Sequence, residues 1–251
     1  HSQFLLPGRD GCRASAGSIR AGKETQGISR VVVSTNSSEY AEIAKKAGAE
    51  VPFLRPDLIS QDKSTDFEFV SHALDFFYSE GQIPDLIVHL RPTTPFRDPK
   101  IMDQAISDGF KRKEGVTSMR SVHEMSESAY KSFEIGKSGN LVSTFSRSHE
   151  LDPANAGRQS FPKTYSPNGY IDLLYPDFIL NSGILHGNNA LPIITELTPL
   201  FKARNALSIL GSIPSKITFS SFNDWYFSLL ICLITELGSF TSNKTPSFSN
   251  P

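Results

Sequence analysis

An α/β fold with a mostly parallel sheet is what this 251-residue sequence predicts, on two observations. Between residue 18 and about residue 113, apolar runs of strand character alternate with stretches whose apolar residues recur at three-four spacing, the mark of βα units. Three of the apolar runs end in polar clusters: Ser34-Thr35-Asn36 after Val31-Val32-Val33, Arg55-Pro56 after Glu50-Val51-Pro52-Phe53-Leu54, and the run Arg91 to Arg97 after Leu86-Ile87-Val88-His89-Leu90. Ligands of an open parallel sheet sit outside the carboxyl ends of its strands, so these clusters mark the edge where function should lie.

The elements follow in order. Ser37 caps a helix with Tyr40, Ile43, Ala44 and Ala47 on its apolar face, and Gly48 stops it. A strand over 50–55 comes next. The following helix carries Phe67, Val70, Leu74 and Phe77 on one face and ends near Gly81, before the buried strand 86–90. Asp98 and Pro99 open a third helix, with Ile101, Ala105 and Ile106 inward. Gly115 to Val122 reads as a strand leading into a polar arm, about 120–160, with Gly136, Gly139 and Asn140 as turn signals. Tyr165 to Tyr175 is apolar around the turn dipeptide Asn168-Gly169, and Ser182 to Gly187 reads as one more short strand. The run Trp225 to Leu237 reads as a buried helix or strand, too short and too interrupted to span a membrane. The stretch from Gly238 to Pro251 has a disordered composition. Residues 1–197 are therefore expected to form the main domain and 198–251 a divergent, partly disordered segment.

Bulk composition narrows the function classes. With 25 basic and 26 acidic residues the formal net charge is −1, which argues against non-specific attraction to nucleic acid or to an anionic membrane. Cys12 and Cys232 lie far apart with no metal-ligand spacing, which fits a reducing cytoplasm. A small-molecule site is the expectation.

Several residues can carry its chemistry. Pro56 biases Arg55 toward extended geometry, aiming its planar fork at a phosphate or base edge, or else Arg55 is a surface residue ending its strand. The segment 91–97 is a stiff, donor-rich loop in which Arg91 and Arg97 would each gain ~4 kcal/mol of raw Coulomb attraction to a phosphate at about 4 Å and an effective dielectric of about 20. It also reads as a plain strand-to-helix connector. Gly8, Arg9, Gly11 and Arg13 form a loop before a helix starting near Ser15 or Ser18; it can offer N–H groups and cations to phosphates, or be an ordinary turn. Arg158 can pair with a carboxylate or stand exposed before a turn. His89, inside an apolar strand, reads as a core residue with its hydrogen bonds met.

Taken in order, four blocks resemble the acylneuraminate cytidylyltransferases, the family that makes CMP-sialic and related CMP-nonulosonic acids. They are Arg30 to Asn36, Gly48 to Asp62, Val88 to Arg97, and Arg158-Gln159 through Asn168-Gly169. The resemblance implies a Rossmann-like three-layer nucleotide-diphospho-sugar transferase fold and a homodimer whose arm packs on the partner. It implies that CTP and a nonulosonic acid react with Mg²⁺ to release pyrophosphate. By position, Arg55 and the segment Ser64 to Asp66 would hold the cytosine, and Arg91 and Arg158, with Asn168, would face the sugar acid. At the phosphate loop, Gly8 and Gly11 would bind the nucleotide and Arg9 and Arg13 would be the catalytic cations. The chain departs from the family in two places. Its phosphate loop keeps only a degraded first half, with Asp10 inside it, and only Asp224 follows Asp177 where relatives carry an Asp-x-Asp pair for Mg²⁺. A non-catalytic nucleotide-binding relative is therefore the alternative. The 3-deoxy-manno-octulosonate cytidylyltransferases share fold and chemistry, but their Ser-Gly-Thr-Asp-Arg stretch is replaced here by Arg55-Pro56 and Ser64-Thr65-Asp66.

Overall fold

The computed structural model describes residues 10–92, 94, 96–196 and 229–234. Eight strands and five α-helices alternate along them: α1 Asp10–Glu24, β1 Arg30–Ser34, α2 Ser38–Lys46, α3 Asp66–Ser79, β2 Leu86–Leu90, α4 Pro99–Phe110, β3 Ser118–Glu124, β4 Phe133–Ile135, β5 Leu141–Ser143, β6 Tyr165–Leu174, α5 Pro176–Ser182, β7 Ala190–Ile194 and β8 Leu229–Ile234. Six of the strands form one sheet in the order β1-β8-β2-β6-β3-β7, and β4 pairs with β5 apart from it. Among the described residues, no helix is long and apolar enough to cross a membrane.

Alternation along the strands builds three layers. Val31, Val33, Leu86, Val88 and Leu90 pack with Ile19 of α1, Ala44 of α2 and Met102, Ala105 and Ile106 of α4. Val32, Ile87 and Leu174 face the other way, onto Phe69, Val70, Leu74 and Phe77 of α3 and Ile179 of α5. Strands covered on both faces need apolar residues at every position, which is why β1 and β2 read as continuous apolar runs.

Four of the six strands point one way, as βα units require, but the neighbouring pairs are antiparallel except β3–β7. β8 and β6 run antiparallel to β1, β2 and β3, and β7 runs parallel to β3, so β1, β2, β3 and β7 share one direction. The strand between β1 and β2 is β8, from the stretch expected to lie apart from the main domain. Residues 50–55 do not form a full strand. They run beside β1 through a parallel bridge from Val32 to Glu50 and a hydrogen bond from Arg55 N–H to the Thr35 carbonyl.

Local signals account for most boundaries. Ser37 Oγ accepts from Tyr40 N–H at the start of α2, and Gly48 takes φ +90° beyond its end. Thr65 caps α3 in a reciprocal box with Glu68, and Asp98 caps α4 with Pro99 at its first turn. Three expectations are corrected. The helix that was to begin near Ser15 or Ser18 begins at Asp10, placing Gly11 and Arg13 in helix instead of loop. Asn168-Gly169 is not a turn but an irregularity inside β6: Arg120 pairs with Asp172 but Val122 with Pro167, so β6 carries extra residues there, and Gly169 accommodates them at φ +65°. Ser182 to Gly187 is no strand, because Gly183 takes the left-handed conformation that ends α5, and the strand follows at β7.

The arm contains the β4–β5 hairpin. Tyr130 packs on Phe145 and Phe161 beside it, and Ile135 and Phe145 remain 77% and 67% exposed.

The connector after β2 is tied down by Arg97. Its Nε donates to the Tyr170 carbonyl at 2.5 Å, Nη1 to Ser18 Oγ at 2.7 Å and to the Thr94 carbonyl, and Nη2 to the carbonyls of Arg91 at 2.7 Å and Gly169 at 3.0 Å. Five donors thus meet five acceptors from α1, the connector and β6. Arg97→Lys, with fewer donors and no planar fork, should lower the unfolding free energy by about 3 kcal/mol in urea titrations. Thr65→Ala should lower it by about 1 kcal/mol, the usual effect of losing an N-cap.

Candidate active site at the carboxyl edge of the sheet

β1 and β2 end at the same edge, and α3 begins above it. Asn36 Nδ2 donates to Asp57 Oδ1 at 3.1 Å, close to Arg55, whose backbone is bonded to Thr35. The Arg55 guanidinium lies 4.2 Å from the ring centre of Phe69, one turn into α3. Asp66, the first residue of α3, binds Arg91 at the end of β2. Arg55 and Arg91 thus both meet the first turn of α3, and Asn36 reaches Asp57 beside Arg55.

Individual side chains are placed less simply. Arg55 does not project from the edge; it is 2% exposed, stacked on Phe69, with Nε donating to Ser60 Oγ at 2.8 Å. Burial brings its pKa down to about 10, so it stays protonated at neutral pH. Ser64 Oγ accepts from Gln61 N–H at 2.9 Å. Arg97 is buried on backbone carbonyls and is not a free cation for phosphate. Asn168 Nδ2 donates to Thr195 Oγ1 at 2.7 Å while Asn168 Oδ1 accepts from Tyr170 N–H, fixing the irregular part of β6. Arg158 stands exposed in a short 3₁₀ turn, Arg158–Ser160. Gly8 and Arg9 lie outside the described residues, as does Asp224.

Arg91 remains the cation at the edge, with its side chain 27% exposed. Behind it lies a charged row that sequence reasoning missed. His89, Asp172 and Arg120 are successive cross-strand partners on β2, β6 and β3. Asp172 approaches Arg91 at 3.7 Å, Arg120 at 3.7 Å and His89 at 3.8 Å. All three separations are too long for direct hydrogen bonds. The signal available was Asp172 inside an apolar strand, but its partners come from strands far away in sequence.

Electrostatics follow from burial. Neither ring nitrogen of His89 has a hydrogen-bond partner among the described residues, contrary to the satisfied core residue expected. Burial brings its pKa down to about 4, and neighbouring Asp172 only partly opposes this. His89 is therefore neutral at pH 7, and its contact with Asp172 is not an ion pair. Burial works to raise the Asp66 pKa, but His89, Arg91 and Arg120 together outweigh it and hold the carboxyl below its ordinary range.

Among the described residues, no group of three or more His, Cys, Asp or Glu is arranged to hold a metal. Asp66 and Asp172 each face an arginine, so these two carboxylates do not fit Mg²⁺, which needs free oxygen ligands in near-octahedral geometry.

A three-layer α/β sheet with polar residues at its carboxyl edge places a ligand site outside the strand ends. Residues 18–145, about half of the chain, match the family model described as cytidylyltransferase. The chain belongs to that family. It is 34% identical over 88 residues to an N-acylneuraminate cytidylyltransferase of Escherichia coli, covering 35% of this chain and 20% of that one. It is 34% identical over 110 residues to a CMP-N,N'-diacetyllegionaminic acid synthase of Legionella pneumophila, covering 40% and 46%. It is 35% identical over 75 residues to a pseudaminic acid cytidylyltransferase of Campylobacter jejuni, covering 30% and 32%. The chain thus spans less than half the length of these relatives. A solved CMP:2-keto-3-deoxy-manno-octonic acid synthetase in complex with CTP aligns over 79% of this chain and 87% of its own, at 10% identity and a TM-score of 0.47, too loose a likeness to add to the fold described above.

The depressed His89 pKa has a consequence for stability. Unfolded His89, with its ordinary pKa near 6.5, binds a proton that the folded protein refuses until about pH 4. Its contribution is therefore fully present above pH 6.5 and lost as pH falls toward 4. Denaturation curves should show stability declining through that window, and His89→Gln should flatten the decline; an unchanged slope would contradict the assignment.

Proposed function

We propose that the protein joins CTP to a nonulosonic, sialic-type acid, giving a CMP-sugar and pyrophosphate. The observation that carries this reading is that the segment matching the cytidylyltransferase family itself builds the polar edge at Asn36, Arg55, Asp66 and Arg91. The relatives named for N-acylneuraminate, legionaminic and pseudaminic acids support an acidic nine-carbon sugar as the second substrate.

In this reading the sugar's anomeric oxygen forms a bond to the α-phosphorus of CTP. The bond to the bridging oxygen breaks, and pyrophosphate leaves with that electron pair. The hydroxyl proton goes to solvent. Arg55, Ser64 and Asp66 border the cytidine, with Arg55 acting from beneath through its stack on Phe69. Arg91, Arg158 and Asn168 face the sugar acid, and Gly8, Arg9, Gly11 and Arg13 serve the triphosphate. Mg²⁺ enters as the companion ion of CTP. A supply of CTP places the reaction in the cytoplasm. The exposed apolar residues of the arm support a homodimer.

The test is pyrophosphate release with MgCTP and a panel of N-acetylneuraminic, legionaminic and pseudaminic acids. Turnover with one of them is expected, and Arg158→Ala should raise the KM for that acid about tenfold with the KM for CTP nearly unchanged. No release with any acid would reject the reading, and CTP binding without turnover would identify a non-catalytic relative. In sedimentation, the protein should run as a dimer and Ile135→Asp as a monomer; identical profiles would remove the arm from the interface.

A further inference from the structure

The row His89, Asp172 and Arg120 lies on the face of the sheet that α3 covers, next to Ile87 and Leu174, where that face is ordinary apolar core. The Asp172 side chain is 2% exposed, and neither of its oxygens has a hydrogen-bond partner among the described residues. A buried carboxylate is retained only where opposite charges offset its desolvation. Those charges are two: Arg91 Nη2 from the end of β2 and Arg120 Nε from β3, each 3.7 Å away. His89, neutral, contributes none. Without Asp172, two guanidinium groups converging on one spot would repel.

The outer sides of the two arginines are accessible, their side chains being 27% and 34% exposed. Arg91 also holds Asp66, whose side chain is 28% exposed. The two carboxylates near Arg91 therefore differ in exposure. Asp172 is buried beneath the arginines, whereas Asp66, like Arg91 itself, is partly exposed.

We propose that Asp172 is a positioning residue that pairs Arg91 with Arg120 into one cationic clamp, and that the clamp takes the carboxylate of the acidic sugar, with Arg120 as a second direct contact. This rests on the nonulosonate reading above. Arg120 gives the carboxylate a second fork at a fixed separation from the first, and planar bidentate pairing with carboxylates is what arginine does best.

Calorimetry tests the clamp, with CTP and each of the three nonulosonic acids titrated separately, the acids in the presence of CMP. Arg120→Gln and Asp172→Asn should each weaken the acid about tenfold and leave CTP affinity within about twofold. Their effects should be non-additive in the double variant, because Asp172 acts through the arginines. Circular dichroism confirms folding; if Asp172→Asn fails to fold, Arg120→Gln decides alone. Unchanged acid affinity in Arg120→Gln, equal loss of both ligands, or additive effects would overturn the inference while the wild-type protein still binds both ligands. A wild-type protein that binds none of the acids would overturn the inference and the nonulosonate reading together.

Discussion

The Arg97 guanidinium is the constraint on which the site depends. The connector after β2 must leave a buried strand, turn across the edge and enter α4, and two of its carbonyls, those of Arg91 and Thr94, accept from Arg97. One side chain collects those of Arg91 and Thr94, then adds Gly169 and Tyr170 from β6 and the hydroxyl of Ser18 from α1. A planar group with five donors in a rigid fork can meet five acceptors from three segments at once; an ammonium has only three donors. The position of Arg91 is thereby fixed from its own carbonyl. Gly169 adds to this from the other side, since a Cβ there would lie 3.0 Å from Arg91 Cδ.

The edge is built by charge compensation as much as by packing. Asp66, Arg91, Asp172 and Arg120 alternate in sign, while buried His89 stays neutral among them. Such an arrangement keeps two arginines close together without a large net field, and leaves both partly exposed. Buried polar groups of this kind hold side chains in one geometry only when their neighbours are fixed, and here β2, β6 and β3 supply that rigidity.

What could be read from the chain, and what could not, divides along the range of the interactions. The helices at Ser38, Asp66 and Pro99 were legible because caps and three-four spacing act within a few residues. The polar strand ends were legible because a βα unit places its loop at the carboxyl edge whatever the rest of the chain does. Long-range pairing was not. Nothing near Asp172 in sequence announces that His89 and Arg120 will flank it, and nothing in Arg55-Pro56 shows that the arginine will fold back onto Phe69. Asn168-Gly169 carries the same local preference for positive φ in a turn or in a strand irregularity, and only its neighbours on β3 decide between them. Likewise Arg97 and Arg91 look alike in the loop, yet one becomes scaffold and the other remains at the surface.

The position of β8 bears on how the molecule comes to be assembled. Val31 lies opposite Cys232, and Val88 opposite the same residue from the other side, so the middle of the sheet joins segments separated by most of the chain. Until that late stretch leaves the ribosome, β1 and β2 each present bare backbone donors and acceptors, and the two halves of the sheet have nothing between them. Closure is then an event of high contact order, and the nascent protein carries two unpaired strand borders in the interval, open to pairing with other chains.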